Sequence, residues 1–550
     1  MSHTLRHSVS LGSPKRWLFL VHRWLGIALC VVMALWFVSG IVMLYVGYPK
    51  LTPAERVAGL PPLTEVAGPN CCVPLSQALQ AAGLNADRSH AAARDTRGNP
   101  PAPATWRLTS VAGEPRYVFS EGRRHVAVDA VSGLRLPATE ADAAVAAARH
   151  FAGGAPGRHV GTVDEDAWTH SRALDGHRPL HRVAVDDADA RWLYISSATG
   201  EVVRDATRTE RTWGWLGAWL HWLYIFRGGP LDAWWSDIVI GLSLAGTVGA
   251  VTGLVIGVMR WRFSGTYRSG RRTPYAGFMD RWHHVLGMVG GVLCVTWVFS
   301  GLMSMNPWKV FNAPGDRPDR LAYAGGPLQS AEAPAAADVL QQLRAQGLQP
   351  RELQWRRLGG EHDVLASLPQ ATWVVTRATA TATATTSAPS TGTVDPTRWQ
   401  QAAQALLPGA RIVEQVRLQA YDRWYYSREP HTMGGHNERP LPAWRLKFDD
   451  PNDTWVTVDE RTGQIVQITD NHRRVDRWLF AFLHSFDLPQ LLAARPAWDA
   501  WMIGFSLAGL GLSLTGVVTG WRRVRRKVRS AGAVRPGGRR ADASASQVQS

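Results

Sequence analysis

The chain has 550 residues, 45% of them hydrophobic, and its 60 Lys and Arg against 44 Asp and Glu give a formal charge of +16. The whole excess lies in three stretches, 6–16, 260–281 and 522–542, whose only acids are Asp280 and Asp542. These flank apolar segments, which is the positive-inside pattern; it excludes a nucleic-acid footprint and assigns both termini and the middle stretch to the cytoplasm.

Residues 1–16 read as a short cytoplasmic tail. Residues 17–48 form a first span, long enough to cross about 30 Å of hydrocarbon, and the lack of a small-residue cleavage site makes it an uncleaved anchor. Residues 50–210 are water-soluble in pattern, with helices expected over 76–84 and 140–153. Alternation predicts strands over 181–187 and 191–203, the second broken by an Ala-Thr-Gly turn. The stretch 212–226, TWGWLGAWLHWLYIF, is short for a span and rich in Trp and Tyr, so it reads as an interfacial helix. A second span (234–261), the arginine-rich cytoplasmic loop (262–281) and a third span (282–305) follow.

Residues 308–475 repeat the soluble pattern, with helices expected over 336–347 and 397–410 and strands over 442–450 and 454–466. Within them, 376–393 is a low-complexity Thr/Ala tract with no apolar period, read as a disordered insertion. A second interfacial segment (478–492), a fourth span (498–521) and a basic tail (522–550) complete the chain. Cys30 and Cys294 sit inside apolar helices, and the adjacent Cys71 and Cys72 imply no disulfide framework. The absence of CxxCH excludes covalently attached c-type haem.

The chain is internally duplicated. Shifted by 261 residues, His22 falls on His283, Gly26 on Gly287, and Trp36, Ser39 and Gly40 on Trp297, Ser300 and Gly301. Shifted by 263, Trp192 and Gly200 fall on Trp455 and Gly463, His221 on His484, Gly246 on Gly509, and Thr252-Gly253 on Thr515-Gly516. Each copy is a span, an outward domain, a short apolar segment with a histidine, and a span. Both copies run in the same direction, so the expected two-fold axis lies along the membrane normal.

Histidines within membrane segments are functional candidates by default. A two-fold axis sets His22 towards His283 near the cytoplasmic face, and His221 towards His484 near the outer face. Two imidazoles on opposite sides of an apolar slot suit a six-coordinate b-type haem, with Gly26 and Gly287 open to a porphyrin or a neighbouring backbone. His284, adjacent to His283, is a rival ligand. Interfacial anchoring and helix–helix hydrogen bonding are the competing structural roles. A proton relay lacks intramembrane Asp or Glu in the spans. Two further candidates lie in the second outer segment. His431, Met433 and His436 of HTMGGH are a soft-metal or substrate-iron contact, or an ordinary polar loop. Tyr421, Trp424, Tyr425, Tyr426 and Arg428 are an aromatic, basic surface for a chelate, or a buried sheet face.

The histidine followed by WFVSG or WVFSG, the GHRPL and NERPL pair, WLYISSATGEVV with WVTVDERTGQIV, LHSFDLPQLL, and SLAG with LTGVVTGWRR together resemble the PepSY-associated transmembrane helix proteins. These iron-regulated inner-membrane proteins include ferric-siderophore reductases. The resemblance implies a four-helix membrane core with two periplasmic α+β PepSY domains. It also implies two non-covalent b-type haems on His22, His283, His221 and His484, passing electrons to periplasmic ferric siderophore. No GxGxxG fingerprint follows a strand, so the donor is another cytoplasmic protein or a membrane quinol. The alternatives are a membrane-anchored PepSY regulator or protease inhibitor, and an iron or siderophore permease. The topology has a direct check: a cysteine placed in 376–393 is expected to react with an impermeant reagent on intact spheroplasts, and reaction only after permeabilisation rules the topology out.

Overall fold

The computed structural model describes residues 14–68, 71–84, 104–369, 371–376, 391–432 and 437–533. Among them four helices are long and apolar enough to cross a membrane: Pro14–Met43, Asp232–Arg260, Phe278–Ser304 and Ala497–Ser530. The first ends five residues before the expected 48. Tyr48 precedes Pro49, which disfavours helical backbone there, and Gly47 lies under the His431 carbonyl, where a Cβ would collide. The last helix runs on past 521 to Ala533.

The chain divides into two compact units. Met1–Val38, Ile240–Leu302 and Asp499–Ser550 form one, and Ser39–Val239 with Met303–Trp498 the other. In the helical unit small residues set the packing. Phe37 of span one lies on Gly509 of span four, and Val298 of span three lies on Gly246 of span two. These two contacts occupy matching positions in the two halves of the sequence.

Among the described residues the second unit holds fifteen strands. They are β1 (Thr105–Val111), β2 (Glu114–Glu121), β3 (Arg124–Asp129), β4 (Gly157–Val163), β5 (Leu180–Val185), β6 (Trp192–Ser196) and β7 (Val202–Ala206) in the first segment. The second segment holds β8 (Glu352–Leu358), β9 (Glu361–Ser367), β10 (Thr372–Thr376), β11 (Thr391–Gly392), β12 (Ile412–Leu418), β13 (Ala443–Phe448), β14 (Trp455–Asp459) and β15 (Ile465–Thr469). β4 to β7 and β12 to β15 are antiparallel meanders of the same order. The expected Ala-Thr-Gly turn joins β6 to β7 through Gly200 at φ 73°, and Gly463 does the same between β14 and β15 at φ 67°. Both are backbone settings that glycine adopts at no steric cost.

The sequence reading treats the two outer segments as separate domains, but a sheet crosses that division. β1 pairs with β8, setting Trp106 opposite Trp355 and Leu108 opposite Leu353, and the result is one seven-stranded sheet, β11-β10-β9-β8-β1-β2-β3. Its apolar face is covered by two amphipathic helices, Leu75–Ala81 through Leu75, Ala78 and Leu79, and Ala336–Ala345 through Val339, Leu340 and Leu343. The tract expected to be disordered over 376–393 begins and ends in strand, since Val375 pairs with Thr391 and Val374 with Gly392; 377–390 lie outside the described residues. Cys71 and Cys72 are joined by a disulfide.

Across the β1–β8 seam runs a buried ion network. Glu352 accepts from both Arg56 nitrogens at 2.7 and 2.8 Å and from Arg107 at 2.7 Å, while Arg107 also reaches Glu201 at 2.8 and 3.0 Å. Burial alone would raise the Glu201 carboxyl, but the Arg107 charge and its hydrogen bonds outweigh burial and hold it at about 2. A carboxyl lowered on folding stabilises the fold above its ordinary value of 4.5 and loses that contribution as pH falls towards about 2. Glu352→Ala leaves two guanidinium groups under-compensated and is expected to cost roughly 3–5 kcal/mol. Glu414→Ala, which removes an exposed pair with Lys447, should cost under about 1 kcal/mol. Thermal unfolding of the two variants checks the contrast, and equal midpoints contradict it.

Candidate functional site

In the helical unit the His22 and His283 rings face each other with centroids 6.3 Å apart. Nδ1 of His22 donates to the Gly249 carbonyl of span two at 3.0 Å. Nδ1 of His283 donates to the Leu512 carbonyl of span four at 3.2 Å, with the Thr515 hydroxyl at the same distance. Gly249 and Leu512 are 263 residues apart, so the two bonds are one arrangement made twice. Each accepting carbonyl lies one turn before a glycine, Gly253 or Gly516. A Cβ on Gly253 would stand 2.5 Å from His22 Cε1, and one on Gly516 would meet His283 Cε1 at 3.4 Å and Cys30 Sγ at 2.5 Å. Gly253 is therefore the glycine that admits the His22 ring, while at Gly516 the close neighbour is Cys30 Sγ and the His283 ring stands at ordinary contact distance. Gly26 and Gly287, expected to be open to a porphyrin or a neighbouring backbone, have as nearest neighbours Cys30 Sγ at 4.0 Å and Leu512 Cδ1 at 3.6 Å.

With Nδ1 protonated and committed to a carbonyl, the lone pair of each ring is on Nε2, the atom a metal takes. His284 differs. Its Nε2 donates to the Gly257 carbonyl at 2.9 Å, so Nδ1 carries the lone pair and accepts from the Thr273 hydroxyl at 2.7 Å. Both nitrogens are spent within the protein, and Trp261 and Tyr275 pack edge-on to the ring. The pairing with His22 goes to His283.

In the second unit the His221 and His484 centroids lie 6.0 Å apart, and Nδ1 of His221 is 3.0 Å from the hydroxyl of Ser39, which is fully buried. Both histidines sit in irregular helical segments rather than the regular interfacial helices expected. Thr207 and Glu210 form a capping box that starts Arg208–Trp213, and a π-turn over Trp215–Trp219 leads to His221. Asp470 caps Asn471–Asp476, and a π-turn over Arg477–Phe482 leads to His484. Each segment then closes on a left-handed residue, Leu223 or Phe486. Each is also tied to the start of the next span, by Trp235 Nε1 to the Trp222 carbonyl at 2.7 Å and by Trp498 Nε1 to the Ser485 carbonyl at 3.0 Å.

Ten residues before each histidine an arginine clamps the segment to its sheet. Arg211 lies 4.4 Å from the Trp192 ring centroid, which Arg182 also covers at 4.6 Å; Arg474 lies 4.1 Å from that of Trp455, with Arg445 at 5.2 Å. Cation–π contacts of this kind contribute about 0.5–2 kcal/mol each. Sequence reasoning missed the two clamps, although Trp192, Arg211 and His221 recur together as Trp455, Arg474 and His484.

Two identical imidazoles on opposite faces of one metal have a set spacing. With a metal–nitrogen bond of about 2.0 Å, and the ring centre about 1.1 Å further back, their centroids stand roughly 6.2 Å apart. The two pairs, at 6.3 and 6.0 Å, lie close to this spacing, so the residues present could hold two haems.

The other candidates are met only in part among the described residues. Nε2 of His431 is 2.7 Å from Glu55, its Nδ1 is 3.5 Å from Glu210, and Met433 and His436 lie outside the described residues. In the aromatic stretch Tyr425 is fully buried, Trp424 packs on Trp455 and Trp478, and Tyr426 donates to Asp487. Tyr421 is exposed, with its hydroxyl on the Arg439 carbonyl. The stretch 421–428 lies between β12 and β13 and belongs to neither strand.

Residues 19–386 match the family model of the PepSY-associated TM region, more than half of the chain. The matched stretch includes His22, His221 and His283. No curated protein matches the chain.

The His431 contact yields a pH expectation. Hydrogen bonds to Glu210 and then Glu55 raise its imidazolium from 6.5 to about 10, against the opposing effect of burial. A raised value means the contact is fully made below the ordinary value and lost as pH rises through about 10. Backbone amides near 431 should therefore keep constant hydrogen-exchange protection from pH 6 to 8, once intrinsic rates are corrected; a loss near pH 6.5 refutes the pairing.

Proposed function

As this chain belongs to the PepSY-associated TM family, we propose that it is a multi-pass inner-membrane electron carrier that binds two b-type haems and reduces ferric siderophore in the periplasm. The observation that carries the reading is the paired spacing of 6.3 and 6.0 Å between imidazoles at positions related by the internal repeat. When bound, the haems supply single-electron transfer, and reduction frees iron because the hard oxygen donors of a siderophore hold Fe(III) far better than Fe(II).

The chain's own part is to hold and orient. Nδ1 of His22 and of His283, each given to a backbone carbonyl, fixes the tautomer and aims Nε2 across the slot. Gly253 keeps the flanking helix surface clear for the His22 ring. At the other pair, the buried Ser39 hydroxyl orients His221, and the arginine–tryptophan clamps hold the segments that carry His221 and His484. In this reading the repeat is a true two-fold duplication and the strand-rich unit faces the periplasm. The regulator and permease readings give no account of two matched imidazole pairs.

The test is haem stoichiometry. His22→Ala and His283→Ala should each remove the same haem, and His221→Ala and His484→Ala the other, halving the dithionite-reduced absorbance in every case. Gly253→Val, which drives a branched side chain into the His22 ring, should behave like His22→Ala. His284→Ala should keep full haem content. Variants lacking the outer haem should retain an inner haem that a cytoplasmic donor reduces, yet fail to reduce external ferric chelate. Full haem in all four histidine variants refutes the reading.

A further inference from the structure

The side of the helical unit on which His22 and His283 open their spans carries a fixed arginine surface. The loop 261–277 is held by its own bonds. Arg262 N donates to the Arg272 carbonyl at 3.0 Å, Tyr267 N to the Arg271 carbonyl at 2.8 Å, and the Tyr267 hydroxyl to the Arg260 carbonyl at 2.9 Å. His284 adds the anchor: its ring joins Thr273 of the loop to Gly257 of span two. Arg268, Arg271 and Arg272 are exposed on this pinned loop.

The last helix supplies the second part. Arg522, Arg525, Arg526 and Arg529 are all exposed and follow i, i+3, i+4, i+7 spacing, so they form one face. None of these seven arginines has a carboxylate partner among the described residues. Lys527 lies 5.2 Å from the Trp24 ring centroid, which places this helix beside the segment that carries His22.

Anionic lipid does not account for all of this charge. With Trp521 at the hydrocarbon boundary, eight residues of helix put Arg529 about 12 Å further out. The headgroup layer of one leaflet is only about 5–8 Å deep. The outer part of the arginine face is therefore in water.

We infer that the loop and the helix face are a docking platform for a small, acidic electron-carrier protein of the cytoplasm, of the flavin or iron–sulfur class. The inference rests on the electron-transfer reading and names its donor. In the exchange the carrier would be oxidised by one electron, accepted by the ferric haem that His22 and His283 would hold, with no bond or proton transferred. Charge complementarity of this kind mainly raises the association rate and makes it salt-dependent.

The experiment uses the full chain in nanodiscs of phosphatidylcholine alone, with immobilised flavodoxin and plant-type ferredoxin as acidic probes and cytochrome c as a basic control. Saturable binding to at least one acidic probe is expected, weakening at least about tenfold between about 50 and 200 mM salt, with none to cytochrome c. Combined Arg522→Gln, Arg525→Gln, Arg526→Gln and Arg529→Gln should weaken it by at least about tenfold. Thr273→Val, which releases the loop anchor, should weaken it less. Failure of both acidic probes to bind, or native binding by the four-fold variant, overturns the proposal. So does a variant that loses only its affinity for phosphatidylglycerol vesicles, since the face then serves lipid. Binding is read without haem, and haem absorbance is recorded on the same samples. Intact binding by a chain without haem counts against the electron-transfer reading alone.

Discussion

An imidazole among apolar helices brings two nitrogens into a medium that offers a partner to neither. In span one and span three the demand is met on one side only, when Nδ1 donates to a carbonyl of the neighbouring span. A helical carbonyl already accepts from the amide four residues on, but it has a second lone pair; the two carbonyls are those of Gly249 and Leu512, and at the first the imidazole fits because the residue one turn later is Gly253. The bond fixes the tautomer, the tautomer fixes where the lone pair points, and the match between the two rings follows from both. His284, one residue along, satisfies both of its nitrogens and is thereby a structural anchor.

The other histidine pair has no regular helix to lean on. Its segments leave the sheets through π-turns, and the arginine–tryptophan clamps fix them to the sheets from the side. They transmit the rigidity of the meanders β4–β7 and β12–β15 to the segments holding His221 and His484, so the strand-rich unit is part of the site's scaffold.

Much of this was readable in the chain. Span positions follow from uninterrupted apolar runs, and the duplication is visible because histidines, glycines and tryptophans recur at fixed offsets. The choice of His283 over His284 was not readable, because both sit at the start of the same span and only the carbonyl and the hydroxyl they meet tell them apart. The glycine that makes room for the His22 ring, Gly253, lies more than two hundred residues away, on another span. The strands β1–β3 and β8–β10 went unassigned because, buried in one shared sheet, they lack a clean polar alternation over much of their length. The boundary drawn at 376 fell inside a strand for a related reason: the Thr and Val of β10 run directly into a Thr-rich tract, and composition marks no edge.

The shared sheet has a consequence for ancestry. β1 and β8 are the inner strands of two hairpin arrays, each contributed by one copy of the duplicated unit, and they meet antiparallel about a local two-fold axis. A chain of half this length would end in a bare strand edge displaying Trp106 or Trp355, an edge whose natural complement is a second copy of itself. Each half would also hold only one histidine of each pair. Joining two copies of a homodimer's gene would give this arrangement: strand pairing brings the halves together, and each histidine pair takes one member from each half. A residue such as Asp487, which receives Tyr426 and Arg477 where the first copy has Tyr224, marks where the two halves differ.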